Sequence, residues 1–142
     1  MTHYNKPLPV PSIESRPFWD ACRDHKLICQ KCTDCGAFRF PPARICPQCL
    51  GSNFAWVEMT GRGKVFSFTI FRRLYHPGFA DDIPYVVAVV ALDEGPRMLS
   101  NVVGMDVDLV RCGMPVQVRF DKVTDNITIP KFTALQGDEI LA

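Results

Sequence analysis

The sequence has 142 residues with 16 Lys+Arg against 15 Asp+Glu, seven cysteines and a hydrophobic fraction of 47%. That length fits one ordinary domain or two small ones and excludes a large multidomain enzyme. Near-neutral charge argues against a chain that coats nucleic acid or is steered to an anionic membrane, and the apolar fraction argues against disorder. An odd cysteine count, with no apolar leader in residues 1–12, points to the reducing cytosol, so the cysteines need a role other than disulfides. The longest apolar run, Tyr85 to Leu92, is far too short to span a bilayer.

In chain order, the prolines between Pro7 and Pro11 predict an extended lead-in. Ser15 then offers an N-cap side chain, Pro17 suits a first helical turn, and Phe18, Trp19 and Cys22 share one stripe, which predicts a helix over Arg16 to His25. So short a helix needs a docking site. Two receivers are open: the chain's own ribbon or barrel, and a partner protein.

Next come Cys32-Thr33-Asp34-Cys35, ten intervening residues, and Cys46-Pro47-Gln48-Cys49. Two Cys-x-x-Cys knuckles at this separation place four thiolates around one ion in the tetrahedron that zinc prefers. Gly36 and Gly51 are read as the sharp turns that follow each knuckle. Cys29 also stands three residues before Cys32, but the glycine after Cys35 and the symmetry with the second knuckle favour Cys32, Cys35, Cys46 and Cys49 as the metal ligands. Cys22, Cys29 and Cys112 are then expected to be buried thiols, small hydrophobes without chemistry. A four-thiolate site has no open position for water, so its role is folding rather than catalysis. Lys31, Arg39 and Arg44 are near enough in sequence to offset its charge.

Beyond Gly61-Arg62-Gly63 the sequence turns to strands. Alternation or apolar runs mark Lys64 to Phe71, Tyr85 to Leu92, Met98 to Val103, Val116 to Phe120 and Ile127 to Ile129, with turns at 93–96 and 125–126. Five short strands suit an OB-type barrel, closed or nearly so, because closure removes exposed edges. The expected organisation is a helix-bearing extension over 1–26, a zinc ribbon over 27–60 and a barrel with its tail over 61–142. The fold class is mainly β.

Taken together, Phe18-Trp19, Leu27, Cys32-x-x-Cys35-Gly36, Pro41-Pro42-Ala43-Arg44, Cys46-Pro47-x-Cys49, Gly61-x-Gly63-x-Val65, Pro84-Tyr85-Val86-Val87, Glu94-Gly95 and Pro115-Val116-x-Val118 resemble the zinc-ribbon/OB-fold acyl-CoA-associated proteins. The likeness covers nearly the whole chain. It implies a rubredoxin-like ribbon on an OB barrel, and a place beside a thiolase-superfamily enzyme in a hetero-oligomer, as in the zinc-finger subunit of benzoylsuccinyl-CoA thiolase. Aldolases, acyltransferases and hydratases are the other partners it implies. Pro130 to Ala134 departs from the pattern by lacking a second proline, which leaves the path of the tail unassigned.

The residues themselves offer little catalytic apparatus. Cys112 lies in a turn with no base near it in sequence, His3 is in the lead-in, His25 ends the helix, and His76 sits in the long loop between the first two barrel strands. Coenzyme A or an acyl-CoA needs cations for its phosphates and an apolar strip for its pantetheine, and the end of that first strand supplies Arg72, Arg73, Tyr75 and His76 as candidate contacts. The expected function is a noncatalytic zinc-binding subunit of a thiolase-like complex. Two rivals stand beside it. A single-stranded nucleic-acid module is disfavoured by six acidic residues against one basic residue, Arg97, between Leu74 and Asp108. The other is a purely structural bracing subunit without a ligand.

Overall fold

Strict alternation of buried and half-exposed residues along Tyr85–Leu92, with Val86, Ala88, Val90 and Leu92 turned inward, makes this strand the backbone of a closed barrel. The computed structural model describes residues 4–135. A short helix α1 (Arg16–Arg23) is followed by β1 (Ile28–Cys32), β2 (Phe38–Arg39) and β3 (Phe54–Glu58), which form a three-stranded sheet in the order β2-β1-β3. Five strands then close a barrel: β4 (Arg62–Phe71), β5 (Tyr85–Leu92), β6 (Arg97–Val102), β7 (Pro115–Lys122) and β8 (Thr128–Ala134), in the order β4-β5-β6-β8-β7. Every pairing in the barrel is antiparallel except β6 with β8, which meet in parallel at Val102 and Phe132. That is the five-stranded OB barrel expected from the sequence.

The last strand is longer than the sequence pattern indicates. Residues Pro130 to Ala134 do not leave as a tail; they continue β8 against β7, with Phe132 fully buried opposite Val118. Pro130 lies opposite Phe120 in this pairing, and its carbonyl accepts from the Ser100 hydroxyl of β6 at 2.9 Å.

Ribbon and barrel are joined at Gly61, whose φ of +81° is the left-handed conformation that glycine adopts without strain. A Cβ there would lie 2.4 Å from Val118 Cγ1, and one on Gly63 would lie 2.4 Å from the Ala91 carbonyl oxygen, so both positions require the bare backbone. Glu94 fastens the same junction by accepting a 2.7 Å hydrogen bond from the Thr60 N–H.

The helix docks on its own chain. Phe18 and Cys22 are buried, Phe18 lies edge-on to Trp19 at 5.1 Å and tilts over Phe40 of the ribbon at 5.3 Å, and α1 packs against β1, β7 and β8. Truncating a phenylalanine so enclosed costs about 3–5 kcal/mol, so this contact couples helix, ribbon and barrel. Two local expectations change. The Ser15 hydroxyl does not cap the helix; it accepts from the Ser12 N–H at 2.8 Å, closing a turn one step earlier. His25 follows the helix end with φ of +60° and stacks on Phe120 of β7 at 5.3 Å, so its ring serves as a spacer between helix and barrel.

Candidate metal centre and barrel loop

The two knuckles are built alike. In the first, the Gly36 N–H donates to the Cys32 carbonyl at 2.9 Å and the Cys32 N–H to the Ala37 carbonyl at 2.8 Å. In the second, the Leu50 N–H donates to the Cys46 carbonyl at 2.8 Å and the Cys46 N–H to the Gly51 carbonyl at 2.8 Å. The residue after the second cysteine must therefore turn left-handed in both, with φ of +80° at Gly36 and +64° at Leu50. This corrects the expected role of Gly51. Leucine occupies the strained position, and Gly51 is small because a Cβ there would lie 2.5 Å from Asp34 Oδ2 and 3.3 Å from Cys49 Sγ.

This arrangement brings the sulfurs of Cys32, Cys35, Cys46 and Cys49 within 4.8 Å of one another. Cys32 and Cys49 are 3.6 Å apart, as are Cys35 and Cys46. Sulfur at roughly 2.3 Å from a tetrahedral zinc implies S···S separations of about 3.8 Å, so the donor set fits that ion. Backbone N–H groups of Gln48 and Gly51 point at Cys46 Sγ and Cys49 Sγ, each at 3.4 Å, and stabilise thiolate rather than thiol. Cys32 and Cys46 are buried and Cys35 and Cys49 reach the surface.

In the metal-free chain the four groups divide unequally. The Cys49 N–H, followed by the Gln48 N–H, draws Cys46 down to about 6, and the N–H groups of Cys35 and Asp34 lower Cys32. The Gly51 N–H also favours ionised Cys49, but its neighbours Cys32, Cys35 and Cys46, together with burial, outweigh it and push Cys49 up to about 12. Cys35 is raised in the same way, despite the N–H of Ala37. The backbone N–H groups thus favour thiolate at Cys32 and Cys46, while Cys35 and Cys49 hold their protons more tightly.

The remaining cysteines separate into two kinds. Burial pushes Cys22 and Cys29 up to about 12, and both lie in the core, Cys29 in β1 opposite Val57. Cys112 was expected to be buried, but it is exposed, because the chain around it forms the turn that lets the Gly113 N–H reach the Val65 carbonyl at 2.7 Å. Arg39, one of the basic residues read as offsetting the sulfur charge, is held inside the ribbon. It is buried, with Nε donating to Gln30 Oε1 at 3.1 Å and to the Ala43 carbonyl at 3.2 Å, and its guanidinium lies 4.9 Å from the centre of the Phe54 ring. Gln30 and Arg39 pin the ribbon; only the register of β1 with β2 makes them neighbours, so sequence reasoning had no signal for the pair.

The four candidate barrel residues lie at the end of β4 and in the loop after it. Arg72 donates to Asp108 Oδ1 at 2.7 Å, and Arg73 lies 5.7 Å from the centre of the Tyr75 ring. Arg72, Arg73 and Tyr75, with Thr69, Ile70 and Phe71, line an open recess of about 320 Å³. His76 is not in its lining. Its Nδ1 accepts from the Gly78 N–H at 2.9 Å, which caps the single 3₁₀ turn Pro77–Phe79 and leaves the ring proton on Nε2. Phe71, Tyr85 and Phe79 continue from the recess as a stack, with centroids 5.1 and 5.2 Å apart.

Comparison with known proteins agrees with this architecture. Residues 19–55 match the rubredoxin-like zinc ribbon domain of ChsH2, and residues 56–121 match its C-terminal OB-fold domain. A DUF35 domain-containing scaffold protein of Methanothermobacter thermautotrophicus is 34% identical over 71% of this chain and 76% of its own length. The chain belongs to the DUF35 family of ChsH2-type zinc-ribbon/OB-fold proteins. The solved Ltp2-ChsH2(DUF35) aldolase superposes on this DUF35 chain with a TM-score of 0.81 and 33% identity, covering 89% of this chain and 98% of that one. A probable enoyl-CoA hydratase alpha subunit of Thermomonospora curvata is 36% identical over 87% of this chain, and the match covers 39% of that relative's length. The benzoylsuccinyl-CoA thiolase subunit BbsA of Geobacter metallireducens is 31% identical over 70% of this chain and 66% of its own. Among the described residues no helix is long and apolar enough to cross a membrane.

Proposed function

We propose that this DUF35 chain is a noncatalytic, zinc-stabilised subunit of a cytosolic acyl-CoA-processing complex, and that its partner is a thiolase-like enzyme that carries the chemistry. Cys32, Cys35, Cys46 and Cys49 hold one structural zinc, which supplies the free energy that keeps the ribbon, residues 27–60, folded. The observation that carries this reading is the closed four-sulfur cage: once four thiolates bind the ion, no position remains for a water or a substrate oxygen. The side chains add support. Among the described residues Cys112 makes no hydrogen bond to a histidine, His25 is stacked on Phe120, and His76 Nδ1 is engaged by Gly78. The names of the relatives, subunits of a hydratase, a thiolase and an aldolase, place such chains beside acyl-CoA enzymes.

In the same reading the Arg72–Tyr75 recess contacts the coenzyme A portion of the partner's substrate. Arg72 and Arg73 face the phosphates, and the stack from Tyr75 and Phe71 toward Tyr85 offers an apolar path for the pantetheine. His76 acts through its cap, holding the loop in shape rather than touching the ligand. The test is turnover of the thioester by the purified complex and by each subunit alone. The chain alone should give none, and Arg73→Met in the complex should raise KM for the acyl-CoA by about tenfold with little change in kcat. Turnover by the isolated chain, or an unchanged KM in that variant, contradicts the respective part of the proposal.

A further inference from the structure

A further concavity is neither the sulfur cage nor the arginine recess. It is a half-open cavity of about 470 Å³ against the barrel wall, lined on one side by the N-terminal strap from Tyr4 to Pro9. Strand ends and loops form its floor, among them Tyr85 of β5, Asn101 and Val102 of β6, the turn at Gly104-Met105, and Ile129 and Lys131 of β8. The strap is fastened at one point by Lys6, which pairs with Asp82 at 2.5 Å and lies 5.4 Å from the centre of the Phe79 ring, and Asn5 presses on Gly78, where a Cβ would lie 2.6 Å from the Asn5 carbonyl oxygen. This volume falls in the range of small-molecule sites, and its lining is mainly apolar, with Lys6, Asp82, Asn101 and Lys131 among its polar groups.

Those polar groups are cationic on balance. Lys6 and Lys131 both face the cavity and are mostly shielded, with side-chain exposures of 23% and 20%. A smaller recess of about 160 Å³ shares Val103 and Lys131 with it and adds Arg119 and Asp121. Three cations therefore meet two carboxylates, Asp82 and Asp121, leaving one positive charge in excess. Lys131 gives one N–H to Asp121 at 2.8 Å and Lys6 gives one to Asp82, so each ammonium retains two of its three donors.

We infer that this strap-lined cavity is a binding site for an aliphatic carboxylate, its chain lying between Tyr85, Met105, Val107 and Ile129 and its anionic head at Lys131. The site is separate from the Arg72–Tyr75 recess and touches it only through the Phe71–Tyr85 stack. Its ligand needs neither a nucleotide nor a phosphate. The strap lies along the bound chain, held by the Lys6–Asp82 pair.

Titration calorimetry on the zinc-loaded full chain with butanoate, hexanoate, octanoate and decanoate, each below its micellar concentration, tests the inference. Affinity should tighten by about fourfold per methylene and then level off once the chain fills the cavity. Octanol should bind about tenfold more weakly than octanoate, and Lys131→Met should erase that difference. Val103→Trp should block both ligands, with Met105→Trp as a second obstruction, each judged by a melting temperature and zinc content equal to those of the parent. No saturable binding, equal affinity for octanol and octanoate, an affinity that climbs without levelling, or full binding by a folded obstructed variant overturns the assignment. Loss of coenzyme A binding in Arg73→Met with octanoate binding intact would separate this site from the function proposed above.

Discussion

Leu50 is a leucine where the fold calls for a glycine, and that mismatch yields a prediction of definite sign. The two knuckles share their hydrogen bonds, yet the first turns on Gly36 at φ of +80° and the second on Leu50 at +64°. A left-handed residue with a Cβ costs about 1–2 kcal/mol. Glycine returns about 0.5–1 kcal/mol of that to the unfolded chain as extra freedom. The Leu50 side chain is 75% exposed, so its removal forfeits little burial. Leu50→Gly should therefore stabilise the ribbon by about 0.5–1 kcal/mol. Gly36→Ala should cost about the same, because its Cβ would meet nothing within 4 Å and only the backbone strain remains. Since the ribbon folds on its metal, both changes should register as zinc affinity in a chelator competition on the isolated chain, about two- to fivefold tighter for Leu50→Gly and correspondingly weaker for Gly36→Ala. Changes of the same sign in the two variants, or a weaker zinc site in Leu50→Gly, would refute the equivalence of the knuckles.

Other consequences follow from the same geometry. Cys46→Ala removes a buried ligand and should leave a chain without bound zinc and with the ribbon unfolded, read by metal analysis and by proteolysis within residues 27–60; a variant that stays metal-loaded and folded contradicts the four-ligand site. Zinc affinity should rise with pH. At neutral pH the raised Cys35 and Cys49, the latter at about 12, carry protons that binding must release, while Cys46 at about 6 is already ionised. Affinity should thus fall by at least about a hundredfold per pH unit below 7, from the protons of Cys35 and Cys49, and more steeply once Cys46 protonates; calorimetry in buffers of different ionisation enthalpy counts the protons. Alkylation of the zinc-loaded native chain should label Cys112 and spare Cys22 and Cys29, whose thiols burial holds at about 12. Modification of all three at similar rates would mean that the core opens far more readily than its packing implies.

Much of this was legible because local rules and tertiary needs agree. Cysteine spacing places the four sulfurs in two matched pairs, and the alternation in β4 and β7, with the apolar run of β5, marks strands whose inward faces the closed barrel buries. The misreadings arose where a residue answers to something distant in sequence. Gly51 is small because of Asp34, not because of its own backbone, and Cys112 is exposed because Gly113 bonds to Val65. Ser15 looks like a cap, but Ser12 competes for its hydroxyl. The strap-lined cavity left no trace in the sequence at all. Its walls come from residues 4–9, 79–85, 101–107 and 129–131, which meet only after the barrel closes.

The central claim is that this chain completes an acyl-CoA enzyme and does no chemistry itself. Its most direct test is to isolate the native assembly through a tag on this chain, measure thioester turnover, remove the chain, and measure again after adding back zinc-loaded parent or Cys46→Ala protein. The account predicts a stoichiometric thiolase-like partner whose activity falls on removal, returns with the zinc-loaded chain and does not return with the metal-free variant. Turnover by the chain alone, or a partner equally active without it, would contradict the account.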